Sequence, residues 1–117
     1  MPISTHILDV ALGRPAAGVP VSLSKFDAGD WAPLSKAVTN ADGRCPNLLP
    51  AQTDITPGDL SPGVYRIRFG TGEYYESIAV QGLYPCVEIV FDVVAGQLHY
   101  HIPLLLTANS YTTYRGS

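Results

Sequence analysis

The chain has three histidines, and they are its main candidates for moving a proton near neutral pH. His6 lies in "STHILDV", and His99 and His101 lie in "LHYHIPLLL". An imidazole accepts or donates a proton at physiological pH, which makes histidine the commonest general acid–base group. His99 and His101 are two residues apart and share a face if the segment is a strand. His-x-His on one face is also a metal-ligating arrangement; its third ligand would be His6, and no cysteine or glutamate cluster supports it. Strand histidines satisfied by local hydrogen bonds are the third reading, and residue types alone leave all three open. Arg44 ends the turn-forming run "TNADGR". A guanidinium held there offers a planar fork to carbonyl or carboxylate oxygens, or joins a surface ion pair. Cys45 and Cys86 have no metal-type spacing and read as free thiols in a reducing compartment. The sequence holds no G-x-S-x-G, phosphate loop or H-E-x-x-H motif.

Such groups must be positioned by the segments that carry them, and these alternate with period two. Ten prolines and eleven glycines punctuate the chain. In "THILDVAL" His6, Leu8, Val10 and Leu12 share a face. In "VPVSLSKF" Val19, Val21 and Leu23 alternate with Pro20, Ser22 and Ser24. In "GVYRIRFG" Tyr65, Ile67 and Phe69 alternate with Val64, Arg66 and Arg68. In "CVEIVFDV" Val87, Ile89, Phe91 and Val93 alternate with Cys86, Glu88, Val90 and Asp92. In "LHYHIPLLL" Leu98, Tyr100, Ile102, Leu104 and Leu106 take one face, and His99, His101, Pro103 and Leu105 the other. This pattern predicts half-buried antiparallel strands joined by turns such as "NADG" and "SPG", and hence a β-sandwich or barrel. "TGEYYESIAVQG", 71–82, breaks the alternation and predicts a short helix between two strands. The closing "YTTYRGS" keeps aromatic and β-branched residues where chain ends usually lose them. Without repeats or linkers, 1–117 reads as one domain.

Composition excludes several classes of function. Charged residues make up 15% of the chain and the net charge is −3. That gives no electrostatic footprint for nucleic acid or an anionic membrane. Apolar runs such as "IPLLL" are too short to span a bilayer. "MPISTHILDV" lacks a basic n-region and a cleavage site, and "RGS" is not a peroxisomal address, so a cytoplasmic location is expected.

"STHILDVALGRPAAGVPVSL" at the front and "HYHIPLLLTANSYTTYRGS" at the back resemble the two ends of the transthyretin-like family. The closing "YRGS" with the upstream "HYHIPLLL" narrows the resemblance to its purine-catabolic branch, the 5-hydroxyisourate hydrolases. "TNADGR", "GVYRIRFGTGEYY" and "YPCVEIVFDV" agree with it, so the resemblance covers nearly the whole chain. "LLLTAN" departs from the family's usual "LLLSP" without removing a site residue. The resemblance implies an all-β, two-sheet antiparallel β-sandwich of about eight strands with one short helix. It implies a homotetramer, a dimer of dimers, with substrate sites in the channel between dimers. Apolar Leu105 beside the histidines agrees with a buried subunit contact.

Carried over by position, the family's site falls on His6, Arg44, His101 and the tail Tyr114-Arg115-Gly116-Ser117. The resemblance makes His6, Arg44, His101 and Ser117 catalytic, and gives His6, Arg44 and Tyr114 to substrate binding, with no metal and no cofactor. The implied reaction is attack of water on a ring amide carbonyl of 5-hydroxyisourate, giving 2-oxo-4-hydroxy-4-carboxy-5-ureidoimidazoline in urate degradation. It needs a base for the water, donors for the developing oxyanion and clamps for the ring. Which histidine is the base stays open. One rival is a transthyretin-like tetramer that binds a small aromatic without turnover, although a carrier would favour an apolar lining. A purely structural sandwich is the other, and the C-terminal motif counts against it.

Overall fold

The computed structural model describes residues 3–49 and 60–117. It holds the strands β1 (Ile3–Asp9), β2 (Arg14–Pro15), β3 (Pro20–Asp27), β4 (Asp30–Val38), β5 (Arg44–Cys45), β6 (Gly63–Phe69), β7 (Val87–Val93), β8 (Tyr100–Leu106) and β9 (Tyr111–Thr113). One helix, α1 (Thr71–Ser77), lies between β6 and β7. The first sheet has the order β2-β1-β8-β9, and β5 shares the free edge of β1 with β2. The second has the order β4-β3-β6-β7. Every pairing is antiparallel except one: β1 runs parallel to β8, with Ile3 opposite Tyr100 and Asp9 opposite Leu106. The two-sheet sandwich with a short helix is therefore as expected, and the first and last long strands lie side by side.

The inner faces of the two sheets form the core. Tyr65, Ile67 and Phe69 of β6 and Tyr100, Ile102, Leu104 and Leu106 of β8 are buried, as their alternation predicts. β1 buries the face opposite to its apparent stripe. Ile3, Thr5, Ile7 and Asp9 point into the core, while His6 and Leu8 lie on the outer face and Val10 and Leu12 are exposed beyond the strand. Each inward polar residue is satisfied, which keeps its burial from costing the desolvation penalty. The Thr5 hydroxyl donates to the Ile102 carbonyl at 2.6 Å. Asp9 accepts from the Tyr74 hydroxyl at 2.7 Å and the Leu12 amide at 3.0 Å. That bond ties α1 to β1. Burial, reinforced by the Asp9 carboxylate, pushes the Tyr74 hydroxyl up to about 12.

The helix stops at Ser77 rather than running to 82. Ala79 takes a left-handed φ of 58°, and the Val80 amide turns back to the Tyr75 carbonyl at 2.9 Å. The β3–β4 hairpin uses the same conformation. Ala28 (φ 51°) and Gly29 (φ 85°) form its two-residue loop between the paired Asp27 and Asp30. Two positive φ values define the type I′ turn, which favours asparagine before glycine. An alanine there costs roughly 1 kcal/mol through the clash of Cβ with the backbone. Ala28→Asn should therefore stabilise the protein by about 0.5–1 kcal/mol in urea unfolding, with an unchanged m-value; a lowered midpoint would contradict the turn assignment.

Candidate active site

Strand register assembles the outer face of the first sheet. Ser4 stands opposite His101 and His6 opposite Pro103 in the parallel β1–β8 pair. On the other side of β1, Arg44 stands opposite His6. Arg44 is delivered by a tight turn. Asn40 Oδ1 accepts the amides of Asp42 and Arg44 at 2.9 and 3.0 Å, and the Gly43 amide donates to the Asn40 carbonyl at 2.9 Å. Gly43 has φ 72°, and a side chain there would collide with the Ile7 carbonyl. The Gly43 carbonyl in turn accepts the Ile7 amide at 2.7 Å. Only glycine allows both the left-handed turn and this close approach. The run "NADGR" thus encodes the placement of one guanidinium beside one imidazole.

The tail closes the other side of this face. Past β9 the chain returns to β8, where the Gly116 amide donates to the His101 carbonyl at 2.8 Å. A Cβ on Gly116 would run into the His101 ring at Cδ2 and lie 3.2 Å from Pro103 Cγ. The glycine of the terminal motif is therefore needed for the backbone to lie against the imidazole. The result is a hollow of about 290 Å³ lined by Ser4, Thr5, Arg44, Pro46, His99, His101 and Ser117.

Within it, His101 Nδ1 is 2.8 Å from the Ser4 hydroxyl, whose residue is only 8% exposed. Burial holds His101 below the usual histidine value of 6.5, and the positive charge of Arg44 adds to this, followed by His6 and His99. A hydrogen bond to the Ser4 backbone works weakly the other way. His6 is lowered by burial first and Arg44 second, against a hydrogen bond to the Asp42 backbone and the Asp42 charge. Both rings are thus biased to the neutral form, in which imidazole can accept a proton.

Of the residues expected from sequence, His101, Arg44 and Ser117 meet in this hollow. His6 flanks it, opposite Arg44 and within electrostatic reach of His101, without lining it. Tyr114 does not join them in the single chain. It is 54% exposed and borders a separate hollow of about 220 Å³ with Ile89, Phe91, Tyr100, Ile102 and Arg115, at the open edge between the sheets. Ser4 and Pro46 were not expected. Ser4 was legible in principle, since it lies two residues before His6 on the same strand face. Among the described residues no three of His, Cys, Asp and Glu come together as a metal site. Cys45 and Cys86 are free thiols, and burial pushes the Cys45 thiol up. A larger groove of about 470 Å³ crosses the outer face of the second sheet past Ser22, Lys36, Arg68 and Cys86, and gathers no histidine.

Comparison with known proteins finds relatives over the whole chain. The profile of the HIUase/Transthyretin family matches residues 3–116. A 5-hydroxyisourate hydrolase of Mus musculus is 43% identical over 118 residues, covering 99% of this chain and 95% of that protein. Among solved structures, sea bream transthyretin in complex with thyroxine superposes with a TM-score of 0.88 at 34% identity, over 99% of this chain and 95% of that one. Klebsiella pneumoniae 5-hydroxyisourate hydrolase superposes with a TM-score of 0.82 at 33% identity, over the full length of both chains. A match of this extent, with the site's strands and tail inside it, places the chain in the HIUase/transthyretin family.

Proposed function

We propose that the chain hydrolyses 5-hydroxyisourate, opening its six-membered ring to 2-oxo-4-hydroxy-4-carboxy-5-ureidoimidazoline. The observation that carries this reading is the hollow in which His101, tied at Nδ1 to Ser4, faces Arg44 and the chain end at Ser117. In the tautomer whose Nδ1–H donates to the Ser4 hydroxyl, Nε2 keeps its lone pair for a proton from the attacking water. A neutral imidazole has a pKa suited to that task near pH 7. Arg44 offers donors to a carbonyl oxygen as it gains negative charge, and such donors act most strongly once water is excluded. His6 beside Arg44 helps hold the water or the ring, and Ser117 contributes its hydroxyl. The overall fold does not separate hydrolase from carrier, because the thyroxine-binding relative superposes as well as the hydrolase does. The polar lining of the hollow and the hydrolase relatives favour turnover.

The same reading includes a homotetramer, with the single domain of 1–117 as its protomer, in the cytoplasm. A hollow of about 290 Å³ is small and open for a bicyclic substrate, since small-molecule sites run from ~300 to 1,000 Å³ and bury most of their ligand. Leu8 and Leu105 leave a partly apolar surface beside it, suited to a second copy. Closure by another chain would complete the walls and is how Tyr114, remote within one protomer, could reach substrate. Light scattering at micromolar concentration should give four times the 12.5 kDa chain mass; a monomer would contradict an intersubunit site.

The function is tested by following freshly generated 5-hydroxyisourate spectroscopically. Decay should be much faster with the protein than without it, and equal rates would end the hydrolase reading. His101→Asn should lower turnover on the order of 10²-fold with the fold intact, and His99→Asn far less. Equal losses would mean that the two rings act as a unit.

The pKa shifts set the pH profile. Because both imidazoles are lowered from 6.5, the base form persists on acidification and the acid limb of kcat/KM should lie below pH 6.5. Arg44→Gln removes a cation that disfavours the protonated rings. That limb should then move to higher pH, whatever happens to the absolute rate; an unmoved limb would show that Arg44 does not act on the histidines.

A further inference from the structure

The arginine of the terminal motif turns away from the hollow that Ser117 lines. Its guanidinium carbon lies 4.8 Å from the centroid of the Tyr100 ring, and its Nη2 donates to Gln97 Oε1 at 3.1 Å. The two partners differ in burial. Tyr100 is 3% exposed, and its hydroxyl accepts the Val94 amide at 2.9 Å. Gln97 sits in the turn between β7 and β8, closed by its own amide on the Val94 carbonyl at 3.3 Å. Arg115 therefore joins the tail to a buried aromatic ring and to the connection that leads to His99.

Pro103 explains why the tail needs such a tie. The antiparallel register of β9 on β8 pairs Leu104 with Thr113, and the bridge of His101 to Gly116 continues the same register. Tyr114 would thus fall opposite Pro103, and Arg115 opposite Ile102. The Gly116 amide donates to the His101 carbonyl, which makes that pair a hydrogen-bonded one, and such pairs recur every second residue. The next in line is Pro103 with Tyr114. Proline has no N–H, so the donor for the Tyr114 carbonyl is missing. The Pro103 carbonyl is taken instead by the Thr113 hydroxyl at 2.8 Å. The ladder breaks there, and β9 ends at Thr113.

We propose that Arg115 is a positioning residue: its side-chain contacts to Tyr100 and Gln97 replace the ladder bond that Pro103 cannot make, and hold Gly116 and Ser117 against His101. The catalytic consequence rests on the reading of the His101 hollow as the active site. The latch itself does not, so it is measured separately, as protection of the chain end.

The experiment compares the wild type with Arg115→Ala, Gln97→Ala and Pro103→Ala/Arg115→Ala. Two readouts are taken: the rate at which a carboxypeptidase releases Ser117, and kcat and KM for 5-hydroxyisourate. Arg115→Ala should speed release of Ser117 at least tenfold and lower kcat on the order of tenfold or more, since misplacement by about 1 Å is that costly. KM and thermal midpoint should change little. Gln97→Ala should move both readouts the same way by a smaller factor. Giving position 103 an N–H in the double variant should restore part of the protection and part of kcat. If Arg115→Ala raises KM while Ser117 stays protected and Gln97→Ala is silent, Arg115 is a substrate ligand and the latch is wrong. Failure of the double variant to recover any protection would overturn the role given to Pro103. If release of Ser117 accelerates while turnover is untouched, the latch stands and the tail's place in the active site falls.

Discussion

The parallel pairing of β1 with β8 is the constraint on which the site depends. It brings together segments almost a chain length apart and sets Ser4 against His101 and His6 against Pro103. The period of a strand then decides the rest. Residues on one side of both strands fill the core, and those on the other form a polar face floored by two imidazoles. A slip of one residue would put His101 into the core and Ile102 into the hollow. The Thr5 hydroxyl adds to the observed register by donating to the Ile102 carbonyl.

Two glycines complete the face, each where a backbone must approach something closely. Gly43 lets the Arg44 turn press on the Ile7 carbonyl, and Gly116 lets the tail lie on the His101 ring. Both fix a stretch of backbone next to a candidate site residue by close packing. Arg44 and the two histidines are then coupled electrically. The guanidinium disfavours the charged form of both rings and keeps them able to accept protons. A site built for hydrolysis needs this bias more than it needs high affinity for substrate.

Much of this was legible in the sequence. The alternations of β6, β7 and β8 gave their buried faces correctly, because each strand belongs to one of the two sheets and turns one apolar side to the core between them. "NADGR" announced both the turn and the residue it delivers. β1 misled, because Leu8, Val10 and Leu12 form an apolar stripe that faces outward, while two of its four core positions are polar. β4 was not visible at all. It is an edge strand with Pro33 in it and a register shift opposite Leu23/Ser24, so its alternation is broken. β2 and β5, two residues each, are set by their partner β1 and carry no pattern of their own. The left-handed turn at Ala79, just past the helix, had no glycine to mark it. Tyr114 could not be placed by period either, since β9 ends at Thr113, opposite Leu104, just before it.

The state of the His101 ring is the centre of the chemical account, and it can be observed directly. A long-range ¹H–¹⁵N spectrum of the imidazoles, assigned by comparison with His101→Asn, reports which nitrogen carries hydrogen and at what pH the ring charges. The proposed mechanism requires Nδ1–H to donate to Ser4, so His101 should be neutral at pH 7, with hydrogen on Nδ1 and a bare Nε2, and should titrate below 6.5. Hydrogen on Nε2 at neutral pH, or a titration at or above 6.5, would contradict His101 as the base that activates water.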